Sequence, residues 1–435
     1  MSQTFNQLYS LKDLLEIEKA GKRSSLHSFH RYFGKLIPAI PAFAIKNFTR
    51  EGDWVCDPFA GSGTTLVEAK LNNRNALGFE INPISCFISK VKTTALDTDK
   101  LEELNEMLLQ DIQADNHPVR EEELPYCVNR QHWFKPFVQE ELVKIKRNID
   151  MFFCRRASGL SGKEQKDIAD FYKLVLSSII RNVSNADTQH VFPGYSKRLR
   201  RLDEEGKREI KVLNSFKNAL YKKTRALKEY NFRNLNAQII IENSDSRFLE
   251  AEKYPKAELI VTNPPYISSI RYIETLKLEL YWMEFIFSGA EYKSLEKKMI
   301  GNDRLDRKDY AVRVLTPYER INKIVERVYH LDAKSGNVVG RYFNEMTDVI
   351  KNMNKLLKPR GHVVMKISDS KVKKVKIETG LLLTEIAGRF GFKAVDFFID
   401  KIKNRSLLTA RNTYSDIITH DYIVVWQKVE EADGV

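Results

Sequence analysis

Short apolar runs that stop at polar or glycine-rich turns alternate with stretches of helical periodicity along much of the chain. This is the pattern of a mostly parallel sheet covered by helices. The runs are WVCD at 54–57, ALGFE at 76–80, QIIIE at 238–242, ELIVT at 258–262, HVVMKI at 362–367, VDFFI at 395–399 and YIVVW at 422–426. Seven strands are therefore predicted. Between the first two, TTLVEAKLNN offers Leu66, Val67, Ala69 and Leu71 as the buried face of a short helix, completing one strand–helix–strand unit. The rhythm lapses over 97–236, where segments such as QEELVKIKRNIDMFF and DFYKLVLSSIIRNV read as helices rich in Lys, Glu and Leu. The expectation is an α/β fold with a doubly wound, seven-stranded, mostly parallel sheet. Residues 1–96 and 237–435 would build it, with a mainly helical insertion over 97–236 between them. A second helical stretch, 271–357, joins the fourth and fifth strands.

With 435 residues, 43% hydrophobic and 30% charged, the chain is neither wholly disordered nor collagen-like. Charge changes the picture more: 71 Lys and Arg against 58 Asp and Glu leave +13, which favours an anionic polymer as partner. Between Lys197 and Lys228 stand twelve Lys or Arg and four Asp or Glu, with Tyr195, Phe216 and Tyr221 close by. That stretch fits a solvated amphipathic helix as well as a nucleic-acid face. The four cysteines form no CxxC pair and no Cys/His cluster, so neither a disulfide framework nor a metal site is expected. His27 and His30 read as packing residues, and HWFKPF at 132–137 as an anchor for the insertion's core. No run approaches a membrane span and the first 23 residues lack the apolar core of a signal peptide, so a cytoplasmic protein is expected.

Two loops carry chemistry. DPFAGSGTT, Asp57 to Thr65, follows a predicted strand and precedes a predicted helix, and Gly61 and Gly63 permit a tight turn and close approach of a ligand to the backbone. Glu80 ends the second strand, where a carboxylate can accept both hydroxyls of a ribose. A nucleoside cofactor is the economical inference. TNPPY, Thr262 to Tyr266, follows ELIV; its two prolines fix a rigid, extended loop at the strand's carboxyl end. Asn263 offers an amide oxygen, Pro264 a carbonyl and Tyr266 a flat ring. Such a set can hold an exocyclic amine by its hydrogens and stack the ring that bears it.

The two loops together resemble the DNA amino-methyltransferases, which move a methyl group from S-adenosylmethionine (SAM) to adenine N6 or cytosine N4. The resemblance covers about 26–96 and 236–428. It implies a Rossmann-like methyltransferase fold, SAM as cofactor and double-stranded DNA as partner. It also implies that Asp57, Phe59, Ala60, Gly61, Gly63, Thr64 and Thr65 form the SAM loop, with Glu80 beside it. Asn263, Pro264, Pro265 and Tyr266 match the catalytic (D/N/S)PP(Y/F/W) loop, Asn263 also facing the cofactor. FHRYFGKLIPAIPAF looks like the family's segment against the methionine moiety, through Phe33, Gly34, Lys35 and Pro38. Asp245 looks like the acid that meets the SAM adenine. YISSIRYIETLKLELYWM resembles a helix of one subgroup whose members carry Ser, associated with cytosine N4, where this chain has Asn263. Asn is associated with adenine N6, so adenine is expected. The order of motifs is that of the α and γ groups, although the insertion fits neither.

The resemblance implies base flipping into the pocket, and a restriction–modification setting in which a cognate endonuclease would act independently. Lys197, Arg198, Arg200 and Arg201, with Lys401, Lys403, Arg405 and Arg411, are candidate phosphate contacts. An RNA methyltransferase would share both loops, but the roughly 25 residues before the SAM segment leave no room for an appended RNA-binding domain. A protein glutamine methyltransferase also uses NPPY yet has less reason for +13. A nucleic-acid-binding protein that lost turnover would not need Asn263 and Tyr266 intact.

Overall fold

The computed structural model describes residues 25–155, 159–230, 236–268, 271–401 and 420–430. All seven predicted runs are strands of one sheet. They are β1 (Trp54–Asp57), β2 (Asn75–Phe79), β3 (Ile239–Glu242), β4 (Ala257–Thr262), β5 (Leu357–Ser368), β8 (Phe392–Lys401) and β9 (His420–Lys428). The hairpin β6 (Ser370–Val372) and β7 (Val375–Ile377) stands apart as a second, two-stranded sheet. The order is β3-β2-β1-β4-β5-β9-β8; β9 runs antiparallel to both neighbours and the other pairs are parallel. Chain order thus reverses at β1, where β1 and β4 lie side by side, and this is where open α/β sheets bind ligands.

Alternation along the strands sorts two cores. Val55, Ala76, Leu259, Val261, Val364 and Val425 pack on one face with α1 (Ala39–Phe48) and α2 (Thr64–Leu71). Cys56, Leu77, Ile260, Val363, Met365 and Trp426 face the other way, toward the helices Glu319–Leu331, Ala333–Leu356 and Thr379–Gly388. Successive residues point to opposite faces, so runs apolar at every position mark strands covered on both sides.

The insertion consists mainly of helices Thr98–Ala114, Pro136–Met151, Gly162–Val183, Lys197–Glu204 and Val212–Tyr230. Its apolar residues do not form a core of their own. Phe171, Tyr172 and Phe216 belong to one cluster with Leu26 and Phe29, with Ile84 and Ile88 of helix Pro83–Thr93, and with Leu278 and Trp282. Phe134 of HWFKPF is fully buried with its ring 5.2 Å from that of Trp282, in the anchoring position.

The basic stretch divides. Helix Val212–Tyr230 buries Phe216, Leu220 and Leu227, and its Lys223 donates to Ser178 Oγ at 2.8 Å, whereas Lys197–Glu204 buries nothing. Lys403, Arg405 and Arg411 lie outside the described residues, as do residues 1–24. No described helix is long and apolar enough to cross a membrane.

Arg181, 2% exposed, seats the loop that leaves helix Gly162–Val183. Its guanidinium donates to the carbonyls of Asp187, His190, Val191 and Phe192 at 2.8–3.1 Å and of Thr275 at 3.4 Å. Arg181→Met would strand these carbonyls, and the expected loss of stability is about 3–5 kcal/mol, read by urea unfolding. Arg181→Lys should recover only a small part, because an ammonium cannot fan across five acceptors.

Candidate active site

The carboxyl ends of β1, β2 and β4 open onto a partly open cavity. The glycine turn forms its floor. Gly63 has φ +77° at the N-terminus of α2, and a Cβ there would stand 2.8 Å from Ser89 Oγ and 3.1 Å from Ser89 Cα. Only glycine fits both the angle and the space. Ser89 Oγ donates to the Gly61 carbonyl at 2.8 Å, and the buried Lys92 ammonium donates to the Ser62 carbonyl at 2.6 Å, so helix Pro83–Thr93 holds the turn from behind.

Asp57 is buried and accepts three hydrogen bonds: from the Phe59 N–H at 3.0 Å, Thr65 Oγ1 at 2.8 Å and Thr262 Oγ1 at 2.7 Å. Burial pushes its carboxyl up to about 6, against the pull of these donors. Glu80 accepts from the N–H groups of Gly61 and Asn82, both at 2.8 Å, and burial lifts it to about 7. Asp245 is paired with Arg247, which also reaches Glu345 at 2.7 Å. Lys35 donates to the carbonyls of His27 and His30 at 2.6 and 2.9 Å, and its burial draws it down to about 8.

The loop from Asn263 to Tyr266 is tied on both sides. Asn263 Nδ2 donates to the Gly34 carbonyl at 3.0 Å, and Tyr266 Oη donates to Asn263 Oδ1 at 3.0 Å. These two partners set which end of the amide is oxygen.

Gly34, Lys35, Asp57, Phe59, Ala60, Gly61, Thr64, Glu80, Asp245, Asn263 and Pro265 all line the one cavity. The remaining predicted residues stand behind the wall. The Phe33 ring lies 4.7 Å under the Arg31 guanidinium and Pro38 precedes α1. Gly63 packs on Ser89, Thr65 bonds Asp57, Pro264 is buried, and Tyr266 meets Asn263 through its hydroxyl. Sequence reasoning missed Tyr32 and Tyr272, whose rings stack at 6.4 Å, and Lys298, Met299 and Ile300, which also line the cavity. Only the aromatic flanking of FGK at 33–35 could have signalled Tyr32. His27 bonds Glu68 at 2.7 Å, and no group of metal-ligating side chains occurs among the described residues.

The wall also holds orphaned polar atoms. Both amide atoms of Asn82 and the hydroxyls of Ser62 and Ser244 are buried without a protein partner, and all three residues line the cavity. Unpaired buried groups are costly unless a ligand completes them. Together with the carboxylates of Glu80 and Asp245 they suit a ligand with hydroxyls, an amine and ring nitrogens, as SAM has.

An open sheet with this strand order and a cleft over β1 is the architecture of SAM-dependent methyltransferases. The family model described as DNA methylase, for N6 and N4 enzymes, matches residues 4–90. Over most of its length the chain is similar to the type II methyltransferase M.MvaI of Kocuria varians, with 24% identity across 91% of this chain and 88% of the relative. It is similar likewise to the type II methyltransferase M.BsoBI of Geobacillus stearothermophilus, with 22% identity across 94% and 87%. A shorter match, 38% identical over 21% of this chain and 17% of the relative, is to the type II methyltransferase M.MjaII of Methanocaldococcus jannaschii. These similarities support an adenine-N6/cytosine-N4 DNA methyltransferase that uses SAM.

If Glu80 takes a ribose hydroxyl, as the resemblance implies, SAM affinity should follow ionisation of its carboxylate, the better acceptor. With a midpoint near 7, the ionised fraction rises about tenfold from pH 6 to pH 8. Calorimetric SAM binding should strengthen by about that factor over the interval, and Glu80→Gln should abolish the dependence.

Proposed function

We propose that the chain methylates the exocyclic amine of a base flipped out of duplex DNA, adenine N6 in the first instance. The observation that carries this is Asn263. Its amide is held by Gly34 and Tyr266 at the edge of the cavity lined by the glycine turn. Oδ1 has a second lone pair for an amine hydrogen, and the Pro264 carbonyl is the second acceptor. Two acceptors drawing on the amine hydrogens direct the nitrogen lone pair away from ring conjugation and toward the cofactor. SAM held in the cleft would supply an electrophilic sulfonium methyl and leave as the neutral thioether, and the amine that takes the methyl would lose one proton to solvent. No covalent enzyme intermediate is required, so orientation and electrostatics supply the rate. The Tyr266 ring is the stacking platform. On the cofactor side, Glu80 takes the ribose, Asp245 the adenine, and the turn from Asp57 to Thr65 the remainder.

Cytosine N4 is the second reading, and one observation favours it: the segment after the catalytic loop is similar to a subgroup that carries Ser at the position of Asn263. Adenine N6 and cytosine N4 each sit beside a ring nitrogen acceptor, so the same Asn263 geometry serves either.

We further infer that the insertion 97–236 carries DNA contacts, in line with its unburied basic helix. Arg200 pairs with Glu204 and Arg201 with Glu205 across exposed i,i+4 spacings, worth little in water and readily exchanged for phosphates. Beside this helix Tyr195, 43% exposed, rests on the His132 ring at 4.5 Å.

Incubation with unmethylated duplex DNA and labelled SAM, then nucleoside digestion and mass spectrometry, tests the reading. N6-methyladenine is expected; N4-methylcytosine moves the assignment to the second reading; methylated RNA alone overturns it. Asn263→Ala should lower kcat about 100-fold or more while SAM still binds. Replacing Lys197 and Arg198 together by Ala should weaken DNA binding at low salt and reduce the salt slope by about one to two.

A further inference from the structure

The loop that leaves helix Gly162–Val183 is polar at its tip and charged beneath it. Ala186 and Tyr195 form an antiparallel bridge, and the Asp187 N–H donates to the Gly194 carbonyl at 3.0 Å, so the chain between them turns back on itself. The buried Asp187 carboxylate accepts from the Gln189 N–H at 2.9 Å and from Ser196 Oγ at 2.7 Å. Arg181 donates to the carbonyls of Asp187, His190, Val191 and Phe192, and Arg31 to those of Thr188 and His190. The bonds to Thr188, Gln189 and His190 all engage backbone atoms, and the three residues are exposed. Burying a guanidinium beneath an exposed polar tip costs desolvation that an apolar seat would avoid. What the arrangement yields is a tip of fixed position.

Two arginines set where that tip stands. Arg31 belongs to the segment whose Gly34 carbonyl accepts from Asn263 Nδ2 at 3.0 Å, and Arg271, over the Phe192 ring, belongs to the segment that follows the Asn263 loop. The same two segments supply Tyr32, Gly34 and Tyr272 to the cavity wall. On the other flank Ser196 caps helix Lys197–Glu204 by accepting from the Leu199 N–H at 3.2 Å, and Lys197, Arg198, Arg200 and Arg201 follow it on the surface. The tip is therefore joined on one flank to the amine acceptor and on the other to the helix assigned to phosphates.

We propose that Thr188, Gln189 and His190 read base edges beside the flipped base, with Gln189 as the specificity-determining residue. A Gln amide presents a donor and an acceptor in one plane, which matches the N7 acceptor and N6–H donor that adenine shows in the major groove. Contacts to phosphates orient a duplex but carry no sequence information, so the basic helix alone cannot select a site. A rigid tip with short hydrogen-bonding side chains supplies what the helix lacks. The inference rests on the reading of the chain as a DNA amino-methyltransferase whose insertion contacts the duplex.

Methylation of a random-sequence duplex library with SAM, read by sequencing that reports the modified base, tests this by giving the consensus site. For the wild-type chain the consensus should contain an A·T pair at a fixed distance from the target base. Gln189→Ala should lose the preference at that pair and methylate the wild-type site about 10- to 100-fold more slowly, with SAM affinity and the unfolding midpoint unchanged. Gln189→Glu, which replaces the donor by an acceptor, should disfavour adenine at the same position. Replacing Arg200 and Arg201 together by Ala should slow every sequence alike and keep the consensus. An unchanged consensus in Gln189→Ala, or a loss spread evenly over all sequences, overturns the proposal. The two levels separate cleanly. Should the wild-type chain methylate no duplex, the DNA reading fails and the proposal with it; should it methylate a consensus that Gln189→Ala retains, only the role of the loop fails.

Discussion

Three hydrogen bonds converge on the Asp57 carboxylate, and the placement of everything in the cleft follows from them. Phe59 N–H fixes the glycine turn, Thr65 the first turn of α2, and Thr262 the end of β4 from which the loop Asn263–Tyr266 departs. Bonds to a charged acceptor contribute roughly 1.5–3 kcal/mol each, and removing a carboxylate from water costs several kcal/mol, so the net stabilisation is small. What the carboxylate fixes is register. Each oxygen ends on a threonine from a different element, so the glycine turn and the Asn263 loop cannot slide past one another. A neutral pair of similar volume could stabilise as much and would leave the two loops free to shift by fractions of an ångström, the scale on which transfer geometry is decided.

This division between stability and placement explains what could be read from the chain. Every strand of the large sheet was legible, the inner ones because a strand buried on both faces must be apolar throughout and must stop where the backbone turns at the carboxyl end. WVCD and ELIVT show this most clearly. The hairpin β6–β7 was not legible: KVKKVKI alternates Val with Lys, and only Val372, Val375 and Ile377 are buried, so its composition reads as a charged loop. The insertion's helices were legible from their periodicity. Their union with Leu26, Ile84 and Trp282 in one core was not, since amphipathic faces state that they are buried and not against what.

The site divides on the same line. Residues within the two loops were found because glycine at positive φ and consecutive prolines leave local marks. Tyr32, Tyr272 and Met299 reach the cleft from three separate segments and carry no such mark. Asn82 follows Glu80 by two positions, yet nothing in the sequence shows that both ends of its amide lack a protein partner. Asp57 shows the reverse case. Its place in the motif was plain, while the structure shows its carboxylate committed to Thr65 and Thr262, so its role in the cleft is exerted chiefly through the loops it joins.

The insertion acts on the cleft through the same kind of commitment. Arg31 donates to the carbonyls of Thr188 and His190 and lies over the ring of Phe33, while its neighbours Tyr32 and Gly34 form part of the cavity wall. Arg271 lies over the Phe192 ring, 4.8 Å from its centre, one residue before Tyr272. The loop from Asp187 to Phe192 is thus gripped by cations whose chain neighbours line the cofactor side, and Arg181 grips it from its own helix. A displacement of that loop must move Tyr32 or Tyr272 unless one of these contacts breaks. Residues 97–236 interrupt the sheet's sequence but not its mechanics: an insertion that contacts DNA through this loop would carry strain to the stacked tyrosines over a path of two bonded contacts.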